Sequence, residues 1–239
     1  MRATTSRAGT IAFAGFEPAD YQVFAIKDFA KGMASLRARV SPKLAALGEA
    51  LGPRLSAAVG EPFFAHVAKH MRRSVNTPTE TWVALGRDPK KYKMYAFLGV
   101  VASGRGIDVR LVLKDEAAGD KRTLADAILR ERRRLADLFA ALPDLGWFLG
   151  LPGKPRKAAE PPLPVTRLPE GFWEEVAEGL RTRAASLFDV GFAWPRTDRR
   201  LAGPEFERMA LRAMVSLYPL YRLATTPGAR LDGRPTRSA

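Results

Sequence analysis

The apolar residues of this chain recur at two spacings, one typical of helices and the other typical of strands. Leu44, Leu47, Leu51 and Leu55 lie three or four residues apart, which is the spacing of one buried helix face. Residues 94–102 instead form an almost continuous apolar run, which suits a strand that is buried on both faces. Together such segments predict an α+β fold, a single domain in which a small, mainly antiparallel sheet packs against several helices.

A β-hairpin is predicted near the centre of the chain. The turn at residues 103–106 (SGRG) separates the apolar run from residues 107–114, which alternate in polarity. In this alternation Asp108, Arg110 and Lys114 are expected to point outward, away from the core. Other strands are predicted at residues 81–85, 147–149 and 190–194.

Turn-rich stretches and helix-start signals set the predicted limits of the domain. Thr123 can cap a helix that runs to Leu142, and Pro169 and Pro204 stand where two more helices are expected to begin. No periodic pattern is found at the N-terminus. We predict a flexible leader at residues 1–14, one domain at 15–225 with a long loop at 150–165, and a disordered basic tail at 226–239.

One stretch, residues 63–82, holds both histidines of the chain and divides into two faces when it is placed on a helix. Steps of about 100° per residue put apolar residues and Ser74 on one side, and cationic or proton-accepting residues on the other. A strand would mix polar and apolar side chains on both faces, so a helix is preferred. The apolar side holds Phe63, Phe64, Val67, Ala68, Met71 and Val75; the polar side holds His66, Lys69, His70, Arg72, Arg73 and Asn76.

The formal net charge of +14 is the strongest feature of the composition. A surplus of this size attracts polyanions such as nucleic acid, phosphorylated ligands or an anionic membrane surface, although arginine-rich surfaces also serve simply to solvate a protein. The chain has no cysteine, which excludes disulfides and thiol catalysis. It has no apolar run of about 18 residues, so no membrane span is predicted, and a cytoplasmic location is expected.

The stretch around the histidines also follows a family pattern. The matching residues are His66-Val-Ala-Lys69-His70, Arg72-Arg73, Val75-Asn76, Pro78 and Thr81-Trp-Val-Ala84, with Gly15-Phe16, Asp20, Phe24 and Ser41-Pro42-Lys43 upstream. They resemble the YktB-like family of uncharacterised bacterial proteins, over roughly residues 16–139. The resemblance implies a compact α+β cytosolic protein and brings no established activity with it.

The cationic face predicts an anion site. On a helix, Lys69 would adjoin Arg72 and Arg73, and each pair of like charges costs about a few tenths of a kcal/mol. Something negative is therefore expected beside them, either the protein's own carboxylates or a bound phosphate or carboxylate. Asn76 and Trp82 are expected to border this site. The protein's own candidates for neutralising it are Glu61, Glu80 and Asp108.

Three functions follow from this face. The leading hypothesis is a binding protein for a phosphate-bearing small molecule or nucleic acid. The second is a metal-independent phosphodiesterase or transferase in which His66 and His70 act as acid and base. The third is a structural or partner-binding protein whose basic helix is neutralised internally. No metal site is predicted, because a third ligand would have to come from a distant Asp or Glu. No cofactor is predicted, because the glycine-containing turns do not continue as phosphate loops.

Overall fold

A block of strands in the middle of the chain is preceded and followed by helices. A computed structural model describes residues 13–71, 74–151, 154–157, 160–183 and 186–231. Within these ranges the helices are α1 Pro18–Gln22, α2 Phe29–Ser35, α3 Ser41–Val59, α4 Ala118–Arg130, α5 Arg132–Ala141, α6 Phe172–Thr182 and α7 Glu205–Thr225. The strands are β1 Phe64–Val67, β2 Glu80–Gly86, β3 Phe97–Ser103, β4 Gly106–Leu113, β5 Gly146–Trp147, β6 Gly150–Leu151, β7 Lys154–Pro155, β8 Leu163–Pro164 and β9 Phe188–Pro195.

Seven of these strands form one antiparallel sheet, in the order β1-β2-β3-β4-β9-β5-β8. The first four follow one another as a meander, and the predicted hairpin is confirmed as β3 and β4, with Ser103 opposite Gly106. β9 comes from much later in the chain and pairs with β4 along its whole length. β6 and β7 form a separate small hairpin inside the predicted long loop. The predicted α+β class is confirmed.

The helices cover one face of the sheet. α3 packs against β1 and β2, and α7 packs against β3, β4 and β9. Alternate strand residues such as Val83, Leu98 and Val109 are fully buried in this core. A Cβ on Gly48 of α3 would lie 2.8 Å from side-chain atoms of both Ala65 and Val83, so glycine is what lets the helix approach the sheet this closely.

The helix predicted over residues 63–76 is wrong. The stretch begins as the edge strand β1, in which His66 lies opposite Ala84 of β2, and continues as an irregular loop. Met71 and Val75, assigned to the buried side of the helix, are exposed. Pairing with β2 satisfies backbone groups of the strand, and α3 covers only one of its faces, so no continuous apolar helix face is required.

The helix predicted from Thr123 to Leu142 is interrupted and forms α4 and α5. Glu131 at the junction has φ −104° and ψ 18°, outside the helical region. Its buried carboxylate accepts hydrogen bonds from Arg130 at 3.4 Å and from Arg134 at 3.2 Å. These contacts hold a charged side chain inside the fold at the point where the regular helix stops.

The chain after α7 folds back onto the protein instead of leaving it as a tail. Ala229 and Leu231 are buried, and the Ala229 carbonyl accepts a hydrogen bond from Arg130 Nη2 at 2.6 Å. The predicted tail therefore does not begin at residue 226; its remaining part, 232–239, lies outside the described residues, as does most of the predicted leader.

A buried carboxylate ties four distant parts of the chain together. Asp120 of α4 accepts from Arg87 Nη2 and from the Ala96 amide, both at 2.8 Å. Arg87 also donates to the carbonyl of Thr225, the last residue of α7, at 3.0 Å. Burial raises the pKa of Asp120, and its hydrogen bonds from Ala96 and Arg87 oppose that rise. This junction fixes the end of β2, the start of β3 and two helices relative to one another.

Candidate functional site

The sheet face opposite the helices carries a group of packed aromatic rings on its β1–β3 half. His66 stacks on Tyr92 with ring centroids 5.2 Å apart and an angle of 22° between the planes. Tyr92 meets Phe97 edge to face at 5.4 Å. Trp82 and Tyr92 both pack against the small buried group that includes Phe97. We call His66, Trp82, Tyr92 and Phe97 the aromatic cluster.

Two cationic or titratable side chains are held against the Trp82 ring. The Lys114 ammonium lies 4.9 Å from the ring centroid, within the range of a cation–π interaction. The His70 imidazole meets the ring edge-on at 5.4 Å and its Nε2 lies 3.0 Å from Thr81 Oγ1. His70 has a positive φ of 49°, a conformation in which histidine is found more often than most residues. That backbone turn directs the chain away from β1 immediately after the strand.

The hydrogen bond of His66 defines which of its ring nitrogens carries a proton. Nε2 lies 2.9 Å from the Asp88 carbonyl oxygen, which can only accept, so Nε2 donates and Nδ1 is the ring nitrogen left to accept a proton. The Asp88 carboxylate accepts from the backbone amides of Lys90 and Lys91, both at 2.7 Å. These amide bonds lower the pKa of Asp88 and fix the loop that presents Tyr92 to the imidazole.

The structure brings together some of the residues predicted for the anion site. His66, His70 and Trp82 meet at the aromatic cluster. Lys69 and Asn76 are exposed on the loop that follows β1, and Arg72 and Arg73 lie outside the described residues. Of the carboxylates predicted to neutralise the basic residues internally, Glu80 and Asp108 pair with Arg110 instead.

The β4–β9 half of the same face carries a buried group of opposite charges. Arg110 is only 3% exposed and reaches Asp108 at 2.5 Å, Asp189 at 3.1 Å and Glu80 at 3.2 Å. Arg105 also donates to Asp108, at 3.1 Å. We call these five residues the charge cluster. The prediction that Asp108 and Arg110 point outward is correct for the side of the strand but wrong for solvent exposure, since both are buried.

Phe148 covers the charge cluster. The guanidinium of Arg110 lies 4.0 Å from the centroid of its ring, and those of Arg156 and Arg105 lie at 5.6 and 6.0 Å. Arg156 donates to the Phe148 carbonyl at 2.6 Å and so holds this segment over the sheet. Burial, together with the charges of Arg105 and Arg110, lowers the pKa of Arg156.

Asp189 is a carboxyl group of the charge cluster whose pKa is shifted by burial. Burial raises its pKa to about 6; Glu80 and Asp108 add to the rise, and Arg110 and Lys114 oppose it. Its Oδ1 is buried and makes no hydrogen bond to the described residues. The sequence did not reveal the charge cluster, because Phe148 and Arg156, which cover it, lie far from Asp108 and Arg110 along the chain. The one local signal was the presence of opposite charges two residues apart, Asp108 and Arg110, inside the most apolar hairpin of the chain.

Two kinds of site are absent from the described part of the chain. No group of three or more His, Asp or Glu side chains there is placed to hold a metal ion. No helix among the described residues has the length and apolar character needed to cross a membrane.

Comparison with known proteins shows where the chain belongs. A family model described as "Domain of unknown function (DUF1054)" matches residues 16–221. The chain is a member of the DUF1054 family. A UPF0637 protein of Listeria welshimeri is 31% identical over 218 residues, which cover 89% of this chain and 98% of that protein. A UPF0637 protein of Bacillus cytotoxicus is 32% identical over 211 residues, covering 87% and 96%. The predicted resemblance to an uncharacterised bacterial family is therefore confirmed, and the match extends well beyond residue 139.

Proposed function

We propose that the aromatic cluster and the lysines beside it bind a phosphate-bearing ligand, either a nucleotide or a single-stranded nucleic acid. The observation that supports this most directly is the Lys114 ammonium above the ring of Trp82, with the His70 imidazole at the edge of the same ring. A cation next to a flat, half-buried ring offers the two contacts that nucleotides need, one for phosphate and one for a base.

The charge balance around the site favours an anion. Lys69 and Lys114 make no ion pair within 4.0 Å among the described residues. Glu80, the carboxylate nearest in sequence to Trp82, is engaged by Arg110. Neither ammonium group is held in an ion pair, so each can meet an incoming phosphate as a point charge.

We include Arg72, Arg73 and Asn76 in the proposed anion site on the basis of the sequence pattern alone. The role of His66 and His70 as an acid–base pair stays a prediction. If it holds, the base is Nδ1 of His66, because Nε2 already donates to a backbone carbonyl. The protein is proposed to act in the cytoplasm, on the same reasoning from its composition.

The test is fluorescence anisotropy with a labelled single-stranded oligonucleotide, with ATP as competitor, at several salt concentrations. Lys114→Gln and Lys69→Gln are each expected to weaken binding and to reduce the slope of log K against log salt by about 0.7, the contribution of one phosphate contact on a single strand. Arg122→Gln is the matched control, because Arg122 is exposed on α4, on the helix side, and has no ion pair in the described chain.

The outcome separates a site from general attraction. If Arg122→Gln weakens binding as much as Lys114→Gln does, the affinity comes from net charge and the proposed site is wrong. If neither the oligonucleotide nor ATP binds, the function is wrong. A Trp82→Leu variant tests the stacking contact, which is expected to contribute about 1–3 kcal/mol to binding of one base.

A further inference from the structure

The two edges of the sheet differ in how they are protected. β8, at one edge, has two residues, ends in Pro164 and is preceded by Pro161 and Pro162. Prolines remove the amide donors that a new strand would need, so this edge is blocked. β1, at the other edge, contains no proline and pairs only with β2.

The register of β1 shows which of its backbone groups are unused. The Ala68 amide donates to the Trp82 carbonyl at 2.9 Å, which directs the even-numbered residues of this segment toward β2. The amides and carbonyls of Ala65 and Val67 therefore point away from the sheet. Neither residue has a backbone hydrogen bond to another described residue on that side. This edge offers two donors and two acceptors in extended geometry.

The surface around this edge combines apolar side chains with positive charge. Phe64 of β1 is 38% exposed and Met94, at the end of the loop that packs on His66, is 48% exposed. Lys90, Lys91 and Lys93 of the same loop are exposed and form no ion pair within 4.0 Å in the described part of the chain. We call residues 87–96 the lysine loop. The carboxylate of Asp88, next to them, is occupied by backbone amides.

We propose that the β1 edge binds an extended acidic peptide that carries apolar residues and Asp or Glu in turn along one face of its strand. The peptide adds a strand to the sheet through Ala65 and Val67. On the face that Phe64 shares with the loop packed on His66, its apolar side chains contact Phe64 and Met94 and its carboxylates meet the three lysines. A second copy of this chain is a poorer occupant, because pairing two β1 edges brings the lysine loops of two molecules with net charge +14 together.

The test uses a synthetic peptide of three Val-Thr-Glu-Thr repeats, in which Val and Glu share one strand face, blocked at both ends, titrated into the ¹⁵N-labelled protein and followed by NMR. The amides of Ala65 and Val67 are expected to shift and to gain protection from hydrogen exchange. A peptide of the same length with Lys in place of each Glu is expected to leave them unchanged. Neutralising Lys90, Lys91 and Lys93 to Gln is expected to raise Kd about tenfold or more. The control triple variant of Arg122, Arg133 and Arg167 to Gln, with the same loss of charge on the helix side, is expected to leave Kd unchanged.

Ala65→Pro removes one outward amide without removing a bond to β2, and is expected to abolish peptide binding. Because Ala65 packs closely on Gly48, its folding is checked by thermal unfolding; if the variant unfolds, Phe64→Asp is used, since Phe64 is on the exposed face. Equal binding of the two peptides, or shifts confined to residues outside β1 and the lysine loop, would overturn the proposal. So would a dimer in solution that Ala65→Pro or Phe64→Asp disrupts.

Discussion

Asp189 is expected to make the protein less stable as the pH rises toward neutrality. Its pKa is about 6 in the folded protein, against an ordinary value of 3.8. The folded state therefore holds the proton more tightly than the unfolded chain does. Below about pH 4 the carboxyl is protonated in both states and its contribution to stability is fully present; as the pH rises through 6 that contribution is lost.

The size of the effect follows from the two pKa values. A difference between 3.8 and about 6 corresponds to about 3 kcal/mol of unfolding free energy, lost between roughly pH 4 and pH 6. Asp189 is buried, so screening by solvent does not reduce this figure much. The cost arises mainly because the carboxylate is charged while buried, and to a smaller extent because it lies beside Glu80 and Asp108; Arg110 is the main compensating charge.

The assay is urea unfolding at a series of pH values from 4 to 7.5, for the protein and for Asp189→Asn. Asparagine has nothing to titrate, so the difference between the two proteins isolates Asp189 and its interactions with the neighbouring charges. The stability of the protein relative to Asp189→Asn is expected to fall by about 3 kcal/mol across this interval and then to stay level. The control is Asp126→Asn, at an exposed residue paired with Arg181. The stability of the protein relative to this variant is expected not to show the fall of about 3 kcal/mol. A difference that stays flat, or that rises with pH, would refute the reasoning.

Two further predictions concern the same half of the sheet. Arg110→Met leaves three carboxylates without their shared partner, and a loss of about 3–5 kcal/mol is expected in urea unfolding at pH 7; a loss below about 1 kcal/mol would mean that the cluster is hydrated. Gly191→Ala places a Cβ 2.1 Å from the Val109 carbonyl oxygen, so β4 and β9 must move apart and a loss of about 1–3 kcal/mol is expected. Gly119→Ala, in α4 with no atom within 4 Å of the added Cβ, is its control and is expected to gain up to about 1 kcal/mol.

The parts of the fold that sequence predicted well are those with strong local signals. β2, β3 and β4 follow from apolar runs separated by glycine turns, and the hairpin register is set by a short turn. α7 follows from a long helical pattern that begins after a proline. In each case the residues that form the pattern are also those that contact the core, so local preference and tertiary packing agree.

The predictions failed where tertiary contacts decide the structure. Residues 64–67 are too few to show a strand period, and the cationic residues after them extended an apparent helix that the edge of the sheet does not need. Likewise, Asp108 and Arg110 alternate with apolar residues as solvent-facing side chains do. They are buried because Phe148 and Arg156, far along the chain, cover them. No local pattern carries that information.

The pairing of β9 with β4 has a consequence for how the chain folds. β1 to β4 can associate early, since they follow one another directly along the chain, but the outer edge of β4 has no partner until the segment ending at Pro195 has been synthesised. During translation the most apolar hairpin of the protein is thus an unfinished sheet that other nascent chains can extend. Asp108 and Arg110 place charges on one face of that hairpin, and charged side chains disfavour such association.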